Sequence, residues 1–124
     1  MVTNFTGIII WTNNFATLVS FYKQILYEIP YSEKMNFISF KKDNFRLGIG
    51  KHPKVKGQNQ DPFRIMINLK VSNIYQETQR LKKMGVPFIR PVEKEHWGGL
   101  MCTFKDPDDN ILQLLEFPQN LDEQ

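Results

Sequence analysis

Apolar residues along the chain switch repeatedly between a strand period and a helix period. Phe5 to Thr12 is a β-branched run that suits a buried strand, and Asn13-Asn14 follows it as a capping pair. From Phe15 the apolar positions Leu18, Val19, Phe21, Tyr22, Ile25 and Leu26 recur at three- and four-residue steps. That spacing predicts a helix with one apolar face, stopped by Ile29-Pro30. A short strand around Glu28 to Tyr31, a strand Met35 to Phe40, the turn Lys42-Asp43-Asn44 and a strand Phe45 to Gly50 complete a first unit.

Residues 51–62 are polar and rich in turn formers, the composition of a linker, and after them the pattern restarts. Phe63 to Val71 reads as a strand. Ser72-Asn73 caps a helix whose inner face holds Ile74, Thr78, Leu81 and Met84, and Gly85 ends it. Short strands are expected at Val86 to Ile89, Leu100 to Phe104 and, after the turn Asp106-Pro107-Asp108-Asp109, Asn110 to Phe117. The expectation is one α+β domain spanning 1–124, made of two βαβββ modules: module 1 at about 4–50, the linker 51–62, and module 2 at about 63–118.

Side chains of a strand point to opposite faces in turn, so each strand also says what its two faces meet. Ile8 and Ile10, Leu47 and Ile49, Ile65, Ile67 and Leu69, and Leu112 and Leu114 form an apolar phase that should take the helices. The opposite phase holds Gly7, Ile9 and Trp11, then Arg46, Gly48 and Gly50, then Arg64, Met66 and Asn68, then Ile111, Gln113 and Leu115. Glycines, arginines and amides make a poor core but a workable lining for a ligand site. Some of these side chains could equally meet solvent or a partner subunit.

Composition narrows the classes without naming one. Hydrophobic residues at 41% and charged residues at 23% are ordinary for a globular domain, and a formal charge of +3 is too small and scattered for a nucleic-acid footprint. The single cysteine, Cys102, excludes an internal disulfide and a cysteine-rich zinc site. Ile8 to Trp11 is far too short for a membrane span, and no positive segment precedes it, so a soluble, cytoplasmic protein without membrane or nucleic-acid partners is expected.

The chain resembles the vicinal oxygen chelate superfamily, also called the glyoxalase/bleomycin resistance/extradiol dioxygenase superfamily. The resemblance rests on Asn14 to Leu26 with its Phe21-Tyr22 pair, on Val71 to Val86 with its Gly85-Val86 ending, and on Trp97-Gly98 followed by Asp106-Pro107-Asp108-Asp109-Asn110 and a strand ending near Glu116. It implies paired modules forming a curled mixed sheet, an incomplete barrel around a pocket, commonly in a homodimer. Asp109 stands where the family usually has glycine; Asp tolerates positive φ better than most residues, so the turn should survive.

Metalloenzymes of the family, such as glyoxalase I, hold a divalent metal with His, Glu or Gln, usually from the first and last strand of each module. Counting back from Phe21, the resemblance puts those positions near Gly7, Gly48, Met66 and at Gln113. Only Gln113 offers an oxygen. Neither Thr3 to Thr12 nor Phe63 to Val71 contains a His, Asp or Glu, which argues against the glyoxalase I, fosfomycin-modifying and ring-cleaving activities. The expectation is no metal and no cofactor.

Other chemistry is sparse. His52 and His96 lie in expected loops, the latter beside Glu93 and Glu95, and could form an improvised acid/base or metal site, although solvated loop residues are the commoner outcome. Cys102 lies mid-strand without a basic neighbour, which suits an inert thiol. No nucleophile elbow, phosphate loop or dinucleotide fingerprint is present. Trp11, Met35, Phe37, Met66 and Trp97 could stack on or fill around a flat ligand, or serve as core or dimer contacts, and Arg46 and Arg64 could fork onto a carboxylate or phosphate. Bleomycin-type cargo is cationic, so the basic balance weighs against it. The residues therefore favour a binder of a small aromatic or anionic molecule, which the resemblance implies is a homodimer, with a site drawn from Trp11, Phe37, Arg46, Gly48, Arg64, Met66, Trp97 and Gln113. Two alternatives stand beside it: a metal-independent or atypical-metal lyase or isomerase using Gln113 and a loop His or Glu, and a structural dimer with a vestigial pocket.

Overall fold

The computed structural model describes residues 1–119, which fall into two compact units, one ending at Gln58 and the next starting at Asn59. Residues 120–124 of the expected domain lie outside the described residues. The first unit runs β1 (Gly7–Thr12), α1 (Phe15–Leu26), β2 (Ser32–Lys34), β3 (Phe37–Lys42) and β4 (Phe45–Lys51). Its four-stranded sheet has the order β1-β4-β3-β2, with β1 parallel to β4 and the other neighbours antiparallel. Ile8 pairs with Leu47 and Leu47 with Phe40; Ile10 pairs with Ile49 and Ile49 with Ile38. These rows bring the apolar phase onto one face, and apart from Ile8, which is exposed, they join Leu18, Val19, Tyr22 and Ile25 of α1 in the buried core of the unit.

Helix α1 begins where the Asn pair suggests, but not by the expected cap. Asn14 makes no side-chain cap hydrogen bond; the buried Thr12 hydroxyl instead accepts the Asn14 N–H at 2.8 Å. The helix ends at Tyr27, in the left-handed region at φ 53°, three residues before Pro30. The short strand forms at Ser32–Lys34 rather than around Glu28 to Tyr31, and β3 starts at Phe37 rather than Met35.

The second unit repeats the order with β5 (Met66–Lys70), α2 (Ile74–Lys83), β6 (Phe88–Lys94), β7 (Leu100–Lys105) and β8 (Ile111–Glu116). Its sheet is ordered β5-β8-β7-β6, again with a single parallel pair, β5 with β8. Ile74, Thr78 and Leu81 of α2 are buried, as are Cys102, Phe104, Leu112 and Leu114 of the sheet. Both ends of α2 are satisfied: Asn73 accepts the Gln76 N–H, Glu116 accepts the Ile74 N–H at 2.8 Å, and Gly85 at φ 85° closes the last turn. The acidic end of the last strand is thus a helix cap.

In the second unit, two strands depart from expectation by more than one residue. Phe63 to Ile65 precede β5 as an irregular segment, because Arg64 turns back on Asp61 through its backbone N–H and its side chain. Phe63 and Ile65 are exposed as a result, and Ile65 does not join the helix-facing row. Strand β6 runs on to Lys94 instead of ending at Ile89, with the register broken around Pro91, which has no N–H to give the ladder.

The turn after β7 is organised by one buried carboxylate. Asp106 Oδ1 accepts the N–H groups of Asp108 and Asn110, its Oδ2 accepts from the Asn110 amide, and the Asn110 side chain in turn accepts from Asn59. Asp109 sits at φ 64°, the conformation its departure from glycine required it to tolerate. Replacing Asp106 by Ala, measured by urea unfolding, is expected to cost about 2–3 kcal/mol because buried donors lose a charged acceptor. Asp109→Gly should stay within about 0.5 kcal/mol and Asp109→Val should lose roughly 1–2 kcal/mol; equal effects from both would overturn this account of the turn.

Candidate functional site

On the face of the first sheet away from the apolar rows, the register lines up three successive rungs. Gly7 pairs with Arg46 and Arg46 with Lys41; Ile9 pairs with Gly48 and Gly48 with Ser39; Trp11 pairs with Gly50 and Gly50 with Phe37. The face therefore runs from two cations, through a small and weakly polar middle, to two aromatic rings. Arg46 and Gly50 lie four residues apart on β4, so the two ends are about 13 Å apart along the strand. A depression of about 630 Å³ covers the cationic and middle rungs and reaches Phe37, with Asn4, Thr6 and Asn44 at the cationic end. That volume is in the range of small-molecule sites.

The glycines are what let the rings lie down. A Cβ at Gly48 would come within 2.7 Å of the Phe37 ring, and one at Gly50 within 2.5 Å of Trp11 and 2.7 Å of Phe37. Trp11 leans on Phe37 with ring centroids 5.9 Å apart and meets His52 edge-on at 5.3 Å. His52 is itself fixed, its Nδ1 accepting the Lys54 N–H and its backbone N–H donating to the Thr12 carbonyl. At the other end, the Lys41 ammonium and the Arg46 guanidinium both stand 4.9 Å from the centre of the Tyr31 ring. Tyr31 is a residue of this site that sequence reasoning misses; its place beside the cations follows from a backbone hydrogen bond of Tyr31 to Ser39 at 2.8 Å, which spacing does not reveal.

The corresponding face of the second unit is more self-contained. Asn68 pairs with Gln113, Gln113 with Thr103, and Thr103 with Arg90. Gln113 donates to the Thr103 hydroxyl at 3.2 Å, and Arg90 grips Glu95 through both terminal nitrogens, at 2.6 and 3.2 Å, while its Nε meets Glu93. The Glu95 carboxyl is held below the usual carboxylate range, chiefly by that hydrogen bond from Arg90 and further by its charge. Arg90 escapes the sequence pattern because the strand expected there stops one residue earlier; its signal is the pair of glutamates three and five residues on.

The other residues expected at the site have local partners. Arg64 is exposed, lies outside β5 and pairs with Asp61 at 2.6 Å, so it does not stand on a strand face as expected. Trp97 covers Gly99 and packs on Phe117 at 5.3 Å, in the turn closed by Glu95 and Gly99. Met66 opens β5 and is partly exposed, and Met35 is exposed just before β3. His96 lies in the same turn as Trp97.

A family model for the glyoxalase/bleomycin resistance protein/dioxygenase superfamily matches residues 4–114. The chain belongs to that superfamily. Among solved structures, a glyoxalase/bleomycin resistance protein/dioxygenase from Nocardioides is 15% identical with a TM-score of 0.77, covering 100% of this chain and 89% of that one. A glyoxalase-related enzyme from Fulvimarina pelagi is 17% identical at a TM-score of 0.76, covering 94% and 90%. Lactoylglutathione lyase from Agrobacterium tumefaciens is 11% identical at 0.72, covering 93% and 94%. At such identities the likeness establishes the fold. A search of curated proteins finds no match.

Superfamily membership makes the metal question concrete, and the residues at the positions that the resemblance aligns with the family's metal ligands make a poor donor set. A side chain at position 7 would overlap the Arg46 carbonyl, and one at position 48 would run into the Phe37 ring. Met66 is a thioether, which leaves the Gln113 amide oxygen as the single oxygen donor among the four positions. Among the described residues no group of three or more His, Cys, Asp or Glu is gathered as a metal would need. Gly7→Ala is accordingly expected to destabilise by about 2–3 kcal/mol, since backbone must move. Gly48→Ala should cost roughly 1 kcal/mol and less in a Phe37→Leu background, because only a ring must move. Equal costs at both glycines, by chemical denaturation, would refute this reading of the two contacts.

Cys102 is fully buried with its Sγ 3.8 Å from the Thr78 hydroxyl, and burial pushes its thiol up. As pH rises past the ordinary thiol value of about 8.5, the unfolded chain ionises first, so Cys102 contributes a loss of stability there and none below. An aromatic disulfide reagent at pH 8 should leave the native thiol unmodified and titrate it fully in denaturant; fast native labelling would contradict this placement.

Proposed function

We propose that this superfamily member is a small-molecule-binding protein that works without a bound metal and holds a flat ligand carrying an anionic group on the open face of its first unit. The observation that supports the reading is the succession of rungs on that face: two cations, a floor of Gly48 and Ser39, then the rings of Phe37 and Trp11. The Phe37 ring, laid over Gly48, gives a planar body a stacking partner, and cations at one end orient it. Gly48, which the resemblance aligns with a metal-ligand position, here becomes part of the floor. Trp11 is a supporting wall behind Phe37 in this reading, and Arg64, Trp97 and Gln113 stand outside it because their partners lie within their own unit.

A thermal-shift panel of aryl anions, neutral arenes and arylamines tests the reading. Aryl anions should raise the Tm and arylamines should not. Phe37→Ala should weaken binding about tenfold, the loss of one stacking contact, while Arg64→Ala leaves it within about twofold. No shift from any compound, or binding indifferent to Phe37→Ala, would sink the proposal. Elemental analysis of protein purified without a metal-affinity tag should find no stoichiometric divalent ion; a bound ion whose removal by chelator lowers the Tm would overturn the metal-free part.

A further inference from the structure

Among the chain's arginines, Arg46 differs in its surroundings. Arg64 pairs with Asp61, Arg80 with Glu77 and Arg90 with Glu93 and Glu95. Arg46 has no carboxylate partner among the described residues, and the side chain directly across the ladder from it is another cation, Lys41. Like charges placed opposite one another in a sheet repel. The neighbouring lysine Lys42 is paired with Glu28, so carboxylates are available in this unit but do not reach position 41 or 46. What faces the two cations is the Tyr31 ring, which each meets at 4.9 Å and which attracts both without neutralising either. The depression opens beside them, with Asn44 and Thr6 among its lining residues.

We infer that Arg46, Lys41 and Tyr31 form a site for a doubly charged oxoanion, and that the molecule held on this face is an aromatic phosphate monoester rather than a carboxylate. The inference rests on the reading of this face as a ligand site and adds the class of its charged group. A phosphate monoester carries a charge of about −1.5 to −2 at neutral pH and presents three acceptor oxygens. Those match two uncompensated cations, one a fork and one a point donor, where a carboxylate would neutralise only one of them. Tyr31 holds both side chains at one ring, each 4.9 Å from its centre, which keeps the two charges in one neighbourhood. The four-residue distance along β4 to the rings then sets the aromatic body at the Phe37 end.

Calorimetric titration with phenyl phosphate, benzoate, inorganic phosphate and benzyl alcohol tests this, using the full chain and its Arg46→Gln, Lys41→Gln and Phe37→Ala variants. Phenyl phosphate should bind at least about tenfold tighter than benzoate, and each cation variant should weaken it about tenfold and remove the preference. Inorganic phosphate should bind weakly, depend on both cations and be indifferent to Phe37→Ala. Benzoate binding as tightly as phenyl phosphate, or a Lys41→Gln variant that keeps full affinity, overturns the dianion site while leaving the aryl-anion reading of the face intact. Binding of benzyl alcohol alone, lost in Phe37→Ala, overturns the dianion site and leaves only the flat-ring part of that reading. If no compound binds at all, both the site and the reading fail.

Discussion

The close approach of two aromatic rings to the backbone of β4 is the constraint on which the rest of the first unit depends. Phe37 and Trp11 flank Gly50 on neighbouring strands, and their rings occupy the space where side chains at 48 and 50 would stand. Without a Cβ at those positions the rings lie across the central strand, which closes the aromatic end of the depression and leaves its floor flat. Gly7 imposes a related limit at the cationic end, where the Arg46 carbonyl fills the place of a Cβ. Together these contacts exchange side-chain donors for backbone surface. A site that coordinates an ion needs lone pairs projecting inward; a site that cradles a planar molecule needs their absence.

Charge is distributed by the same local logic. The other three arginines answer to glutamates or aspartates a few residues away, as Arg80 does with Glu77, and Lys23 and Lys42 meet Glu33 and Glu28. Exposed pairs of this kind add little stability, but they do cancel field. Where they are missing, as at Arg46 and Lys41, the field remains. The net charge of +3 therefore matters less as a property of the whole surface than through where it is left uncancelled.

Much of this is legible in the sequence because it is written in period and register. The two modules, both helices and the helix-facing rows apart from Ile8 and Ile65 follow from alternation and turn chemistry, the positive φ at Asp109 follows from the family resemblance, and Arg46 and Gly48 are visible in the phase that faces away from the helices. What is not legible depends on contacts that cut across period. Arg64 continues the alternation of β5 perfectly well as a string of letters, and only its pairing with Asp61 takes it off the strand. Arg90 lies next to a Pro91 that reads as a stop but acts as a bulge inside β6. Tyr31 gives no periodic signal at all; its importance comes from two side chains on other strands.

The two units show how one architecture can be read chemically in two ways. In the second, the polar groups of the open face are matched to one another: Gln113 to Thr103, Arg90 to Glu93 and Glu95, with Trp97 laid over Gly99. Internal matching of this kind fixes geometry but leaves few donors or charges for anything else. In the first, the corresponding strands carry glycines where bulk would be expected, and two cations that meet an aromatic ring rather than a carboxylate. Repulsion between Lys41 and Arg46 is a poor choice for a sheet whose purpose is to fold. Departures from local consistency of this kind concentrate where a protein meets its ligand, and in this chain they concentrate on one face of one sheet.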